Sequence, residues 1–372
     1  MTGRYDVVVV GAGIGGASLA WFLSERASVL LIEAEAHPGL HSTGRSAAFF
    51  AESYGGPGVQ PLTTASKAFL HRPPAGFADG PLVTPRGALH VAGPGAQGAL
   101  DDVERAFLAS GVAAERLDAE GAAARAPLLD PAWRQRALWE PDCTDIEVAR
   151  LHQAFLAGAR RRGAVLATDA PARGLERSGG RWRIETAAGH FEADVVVNAA
   201  GAWADEVAAL AGTRPLGVQP LRRTMVVADL GAPVDPGLPV VFDVAGSFYF
   251  KPDAGMIWVS PHDETPAPPS DVQPEELDIA VAVDRFERAT TATVRRVVRA
   301  WAGLRSFAPD RLPVYGFAPD APGFFWCAGQ GGFGVQTAPA AGAMAASLIT
   351  GAAWNAPGVD PERYAPARFS GV

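Results

Sequence analysis

Two cysteines, Cys143 and Cys327, are all that 372 residues contain, too few for a disulfide framework or a cysteine-rich metal centre. Lysine is as scarce, with Lys67 and Lys251 alone, so nearly all positive charge is arginine, which reads as compositional bias. Basic runs are absent beyond Arg160-Arg161-Arg162, and the formal net charge is −8. Such a chain offers no track for a phosphate backbone, and no nucleic-acid partner is expected. The arginine triplet ends a helical pattern and reads as a solvated C-terminal turn. No apolar stretch of spanning length is free of Gly, Pro and charge, so no integral membrane segment is expected. The first strand starts at Tyr5 with no charged leader or apolar targeting core before it, which points to a reducing, cytoplasmic setting with at most peripheral membrane contact. Internal repeats and low-complexity tracts are also missing.

With 48% hydrophobic residues the chain can bury a large core, and its length suits two domains. The apolar run Tyr5 to Val10 leads into Gly11-Ala12-Gly13-Ile14-Gly15-Gly16. The helical stretch Ala17 to Leu23 follows, and Glu33 closes a second apolar run, Val29 to Ile32. Strand, glycine turn, helix, strand and acidic cap make a dinucleotide-binding unit. Gly11 permits the tight turn, Gly13 lets backbone approach a pyrophosphate, and Gly16 lets the helix pack on the strand. Ile14 opens the helix whose free N–H groups face the anion, and Glu33 can accept ribose hydroxyls. The motif does not choose between a nicotinamide and a flavin.

A second buried strand, Asp194 to Asn198, ends in Ala199-Ala200-Gly201-Ala202-Trp203, small residues that suit close approach of a cofactor near Gly201 and Trp203. Before it, Arg181 to Thr186 and His190 to Ala193 read as a meander, preceded by an amphipathic helix from Leu151 to Arg161. From Arg223 to Ser260, short alternating segments broken by Pro and Gly predict antiparallel sheet, and a helix is expected from Pro274 to Arg288. Gly323 to Cys327 reads as a strand entering Gly329-Gln330-Gly331-Gly332-Phe333-Gly334 and a small-residue helix, Val335 to Ile349.

Four segments together resemble the FAD-dependent D-amino acid oxidase-like family, which includes glycine and sarcosine oxidases. They are the N-terminal fingerprint, His41-Ser42-Thr43-Gly44-Arg45-Ser46-Ala47-Ala48, the stretch from Trp301 to Asp310, and the glycine-rich C-terminal loop. Within the family the likeness is strongest to the bacterial D-arginine dehydrogenases and extends over nearly the whole chain. The resemblance implies an α/β fold, a Rossmann-type FAD-binding domain (1–83, 145–217 and 306–372) interleaved with an antiparallel-sheet substrate domain (84–144 and 218–305). It implies that Ser42, Thr43, Arg45, Ser46, Ala47 and Ala48 run along the flavin. Gly331, Gly332 and Gly334 approach its ring, with Phe333 and Gln336 beside them. A helix N-terminus there would place positive partial charge by the flavin pyrimidine carbonyl. Neither segment offers a histidine or cysteine at the family's attachment places, so the FAD is expected to be non-covalent.

The resemblance also implies that Arg305 and Tyr249 hold a substrate carboxylate, with Arg223 at the same pocket and Tyr54 on the loop above it. An arginine fork suits a carboxylate because it donates two parallel hydrogen bonds. The expected reaction moves the Cα hydrogen as hydride to the flavin and leaves an imino acid that water hydrolyses to a 2-oxo acid and ammonia. The protein mainly aligns the substrate, and activity should rise toward alkaline pH as the amine loses its proton. At the place where an arginine-oxidising enzyme needs an acid, this chain has Ala88. Its neighbours Phe49, Ala51, Val240 and Phe242, with Gly332, are also apolar. Apolar or aromatic D-amino acids are therefore expected, unless another carboxylate such as Glu52 replaces the acid.

Two other readings stand beside this one. The same clamp could serve a secondary amine such as an N-methyl amino acid, or a 2-hydroxy acid. A flavin-binding protein without turnover is a third class, against which the joint presence of Arg223, Tyr249 and Arg305 argues. Oxygen or a quinone-type compound is the expected electron acceptor. Lys251 either shares a strand face with Tyr249 or completes a solvated edge, and the solvated edge is expected.

Overall fold

The apolar run that opens the chain forms the strand Thr2–Val10 inside an eight-stranded sheet of the computed structural model, which describes residues 2–369. On one side it pairs in parallel with Val29–Ile32, on the other with Gly189–Asn198. Val7, Val8 and Val9 are buried, as a strand covered on both faces requires. Helices Ile14–Leu23, Val148–Arg161 and Gly334–Thr350 share one core with this sheet. Phe324–Ala328 adds a further parallel strand.

His190 to Ala193 is not a separate meander strand. It runs unbroken into Asp194–Asn198 as the single strand Gly189–Asn198. The first half pairs with Arg181–Thr186 and alternates between buried and exposed residues, while the second half pairs with Phe324–Ala328 in the interior. One strand that passes from surface to core carries two hydrophobic patterns, and the pattern change imitates a break.

A ten-stranded sheet, mostly antiparallel, carries the rest of the architecture. Its longest strands, Gln219–Asp229 and Arg296–Phe307, pair along most of their length. Side chains alternate between its faces. Val226, Ala228, Val241, Phe250, Ile257 and Val259 share one core with Ala282 and Phe286 of helix Glu276–Ala289. Met225, Phe242 and Tyr249, which alternate with them along the same strands, belong instead to a separate buried cluster with Ala47 and Phe49. Among the described residues no helix is long and apolar enough to cross a membrane, and no group of three His, Cys, Asp or Glu could hold a metal ion.

Candidate active site

The glycine turn separates into residues the fold requires and one it does not. Gly11 has φ +99°, and a Cβ there would press on the Ala199 carbonyl. A Cβ on Gly16 would collide with the Gly11 carbonyl oxygen, whereas at Gly13 the nearest atom would be Thr43 Oγ1 at 3.4 Å. Beyond the residue's own chain neighbours, no other atom of the described residues lies within 4 Å of that position. Glu33 Oε2 accepts from Ala12 N at 2.9 Å, and Oε1 accepts from Glu35 N at 3.1 Å. The carboxylate is thereby held at a cavity of about 620 Å³ lined by Gly11, Gly13, Glu33, Ser42, Thr43 and Trp203. The His152 Nε2–H donates to the Ala12 carbonyl at 2.8 Å and buttresses the turn from behind.

Ser42 and Thr43 also line a second cavity, of about 110 Å³, together with Ile14, Arg45, Ser46 and Ala47. Its far wall holds Arg223, Tyr249, Arg305, Gly331, Gly332 and Gly334. Helix Gly334–Thr350 begins there with no side-chain cap and no acid in its first turn, so its first N–H groups are open to an electron-rich partner. A Cβ on Gly332 would come within 2.8 Å of Arg305 Nη1, so the guanidinium lies against bare backbone.

One face of the large sheet assembles a buried, ring-rich cluster beside this cavity. Residues directly opposite across paired strands share a face. The register places Ala88 beside Val240, Phe242 beside Tyr249, Met225 beside Trp301 and Arg223 beside Gly303, with Arg305 two residues further along the same strand. Phe49 fits its ring between Tyr54 at 5.1 Å, Phe242 at 5.2 Å and Tyr249 at 5.8 Å. Ala47, Ala51, Ala88, Val240 and Cys143 complete this buried cluster. Glu52 does not reach it as a free acid, because its carboxylate is bonded to Lys67 and Thr64.

Arg305 Nη1 donates to the Tyr54 hydroxyl at 2.6 Å and Nη2 to the Tyr249 hydroxyl at 3.3 Å. The Tyr249 hydroxyl in turn donates a hydrogen bond to Met225 Sδ at 3.3 Å. Arg223 is 3% exposed; its Nε donates to the Asp263 carbonyl and its Nη2 to Glu264, while Nη1 is buried with no hydrogen-bond partner among the described residues. Burial, together with the Arg305 charge, pushes Arg223 below its ordinary pKa. Two guanidinium groups sharing one cavity, one with an unpaired donor, call for an anion. Neighbouring Arg222 points the other way and pairs with Asp278 and Glu275 of the covering helix segment.

Burial and the Arg223 charge hold His262 down to about 4, so its imidazole is neutral at neutral pH. Burial alone would raise the Tyr54 phenol, but the charges of Arg305 and Arg223 outweigh it and hold the phenol below its ordinary 10.0. A Tyr54 phenolate would compete with a carboxylate for Arg305. The KM of a carboxylate substrate should therefore climb as pH rises through this lowered pKa, and Tyr54→Phe should flatten that limb. KM measured across alkaline pH in both proteins checks this.

Some residues expected at the cofactor act elsewhere through their side chains. Arg45 lines the smaller cavity, but its guanidinium bonds the Val272 and Ala302 carbonyls and Asp271, tying this segment to the large sheet. The Gln336 side-chain amide donates to the Tyr54 carbonyl and Thr63 Oγ1 and accepts from Ala51 N. Phe333 packs on Tyr54 at 5.3 Å. Ala48 has φ +62° and Gly201 φ +57°, both turn positions beside the cavities. Lys251 corrects the solvated-edge expectation. It is 3% exposed and bonds Asp145 at 2.6 Å, because its strand lies in the middle of the sheet with its partner supplied from far away in sequence. Met225, Trp258, His262 and Glu140 were not singled out from sequence. For Met225 the signal was available, since it alternates with Arg223 along one strand.

Comparison with known proteins places this geometry. Residues 6–348 match the family described as FAD dependent oxidoreductase. The chain belongs to that family. FAD fits what the residues offer: Gly13, Glu33 and Trp203 line the larger cavity and would hold its adenosine end, while Ala47, Gly331 and Gly332 line the smaller one and would hold its ring. Human dimethylglycine dehydrogenase, mitochondrial, is 35% identical over 142 residues, 37% of this chain and 16% of that protein. Glycine oxidase of Pseudomonas aeruginosa is 28% identical over 242 residues, 63% of this chain and 62% of that one. The chain thus spans well under two thirds of the first of these relatives. L-proline dehydrogenase from P. horikoshii shares the fold with a TM-score of 0.87 at 24% identity, covering 100% of this chain and 99% of the other.

Proposed function

We propose that this protein oxidises the Cα–N bond of an α-amino acid with an apolar or aromatic side chain, in the D configuration that the likeness to D-arginine dehydrogenases implies. The observation that carries this is the pair Arg305 and Arg223, the latter with a buried unpartnered Nη1, facing one cavity beside a ring-lined pocket. Bound FAD, non-covalent on this reading, supplies the acceptor for the two electrons and the hydrogen leaving Cα. Arg305, Arg223 and Tyr249 orient the carboxylate, and the Phe49, Tyr54 and Phe242 rings take the side chain and exclude water. The imino acid then takes up water and releases ammonia to leave a 2-oxo acid. The electrons pass on to oxygen or a quinone-type acceptor.

D-leucine, D-methionine or D-aromatic substrates should exceed D-arginine and D-lysine by about tenfold or more in kcat/KM, since each unpaired ~1.4 kcal/mol is worth that factor. Anaerobic flavin bleaching with a panel of D- and L-amino acids tests this, and a preference for D-arginine would overturn it. Ala88 lies opposite Glu140 in the sheet. Ala88→Glu should shift preference toward basic side chains, and D-arginine should raise the thermal stability of that variant by neutralising the paired acids.

Relatives named for dimethylglycine and proline favour a second reading, oxidation of a secondary amino acid at the same clamp. N-methyl amino acids and proline in the same panel distinguish the two.

A further inference from the structure

Glu140 ends the strand Arg136–Glu140 and is 1% exposed. An ionised carboxylate buried so deeply is tolerated only when its oxygens are bonded. Its Oε2 accepts from Ser53 Oγ at 2.6 Å and faces His90 Nε2 at 3.0 Å, while Oε1 accepts from Ser53 N at 3.3 Å. Two of its three hydrogen bonds therefore come from one residue of the loop that carries Tyr54. A second link runs through rings: His90 stacks on Phe242 at 5.2 Å, and Phe242 stacks on Tyr54 at 6.0 Å. The loop leaves through Gly55 at φ +105° and Gly56 at φ +67°, a backbone pair suited to a hinge. Gln336 holds the same loop from the opposite half through Ala51 N and the Tyr54 carbonyl.

We propose that Glu140 is a positioning residue that, through Ser53, holds the Tyr54 loop where the Tyr54 hydroxyl meets Arg305. Opening the loop would strip Glu140 of both Ser53 bonds and leave it to His90 alone, so the buried carboxylate resists opening. In this way a buried residue on the pocket-facing side of the sheet, opposite Ala88, sets the geometry of the carboxylate clamp. The proposal rests on the amino acid reading above for its kinetic consequence, but its structural part can be measured separately.

The test uses the FAD-loaded protein with Glu140→Gln and, as a variant that leaves the buried carboxylate in place, Ser53→Ala. Both should speed amide hydrogen exchange across residues 51–56 by about tenfold, with residues 88–91 unchanged. Both should raise the KM of the best substrate about fivefold or more while flavin reduction at saturation changes less than about twofold. In a Tyr54→Phe background, Glu140→Gln should add less than about twofold to KM, because the two act along one path. Unchanged loop exchange in both variants would overturn the proposal, as would full additivity with Tyr54→Phe or a loss of stability with KM intact. A wild-type flavin that no amino acid reduces would sink the functional reading instead, and loop exchange would still decide the role of Glu140.

Discussion

Arg305→Ala should raise the KM for carboxylate substrates by about 30- to 1,000-fold, since a charge-assisted arginine–carboxylate contact is worth about 2–4 kcal/mol. Bound FAD should stay near the wild-type level. The guanidinium sits on Gly332 and is already steered by Tyr54 and Tyr249, so it is presented in one orientation rather than searching for one. Burial works against its charged form, but the neighbouring tyrosines outweigh that and push its pKa up, so it stays protonated at any working pH. Amines that lack a carboxylate are the control: their turnover should barely change. Equal losses for amines and amino acids would show that Arg305 supports the pocket rather than binding the substrate.

Gly13→Ala should give a protein that folds but loses FAD, with affinity down by at least about tenfold, or ~1.4 kcal/mol. The added methyl meets only Thr43 Oγ1 at 3.4 Å, so the apoprotein has room for it, while the path toward the pyrophosphate does not. Gly16→Ala is the contrast. There the methyl strikes the Gly11 carbonyl, the helix must leave the strand, and stability should fall even without cofactor. Thermal melts of the apoproteins, with FAD titrations, separate the two. Equal apoprotein stability in both variants would mean that Gly16 is not needed for packing.

The nucleotide half was legible because its signal is local. Gly11 to Gly16 and Glu33 lie within two strands and one helix that follow directly in the chain, so short-range spacing already places them together. The proposed carboxylate clamp is read only through likeness to relatives, since Tyr54, Arg223, Tyr249 and Arg305 come from distant segments. Their meeting depends on strand register, and a one-residue slip would exchange Arg223 for Arg222, sending the wrong guanidinium to the cavity.

By itself, the sequence determined the dinucleotide turn and the α/β class, both of which follow from residue type and near-neighbour periodicity. Tertiary structure alone decided which polar side chains are already spent. Lys251 goes to Asp145, Gln336 to the Tyr54 loop and the Arg45 guanidinium to the large sheet, each through a partner remote in sequence. The same holds for Glu140, whose role exists only because the Tyr54 loop folds over the end of its strand. The reason is physical: a buried charge or amide is satisfied by whatever long-range packing brings within hydrogen-bonding distance, and local spacing carries no record of that partner.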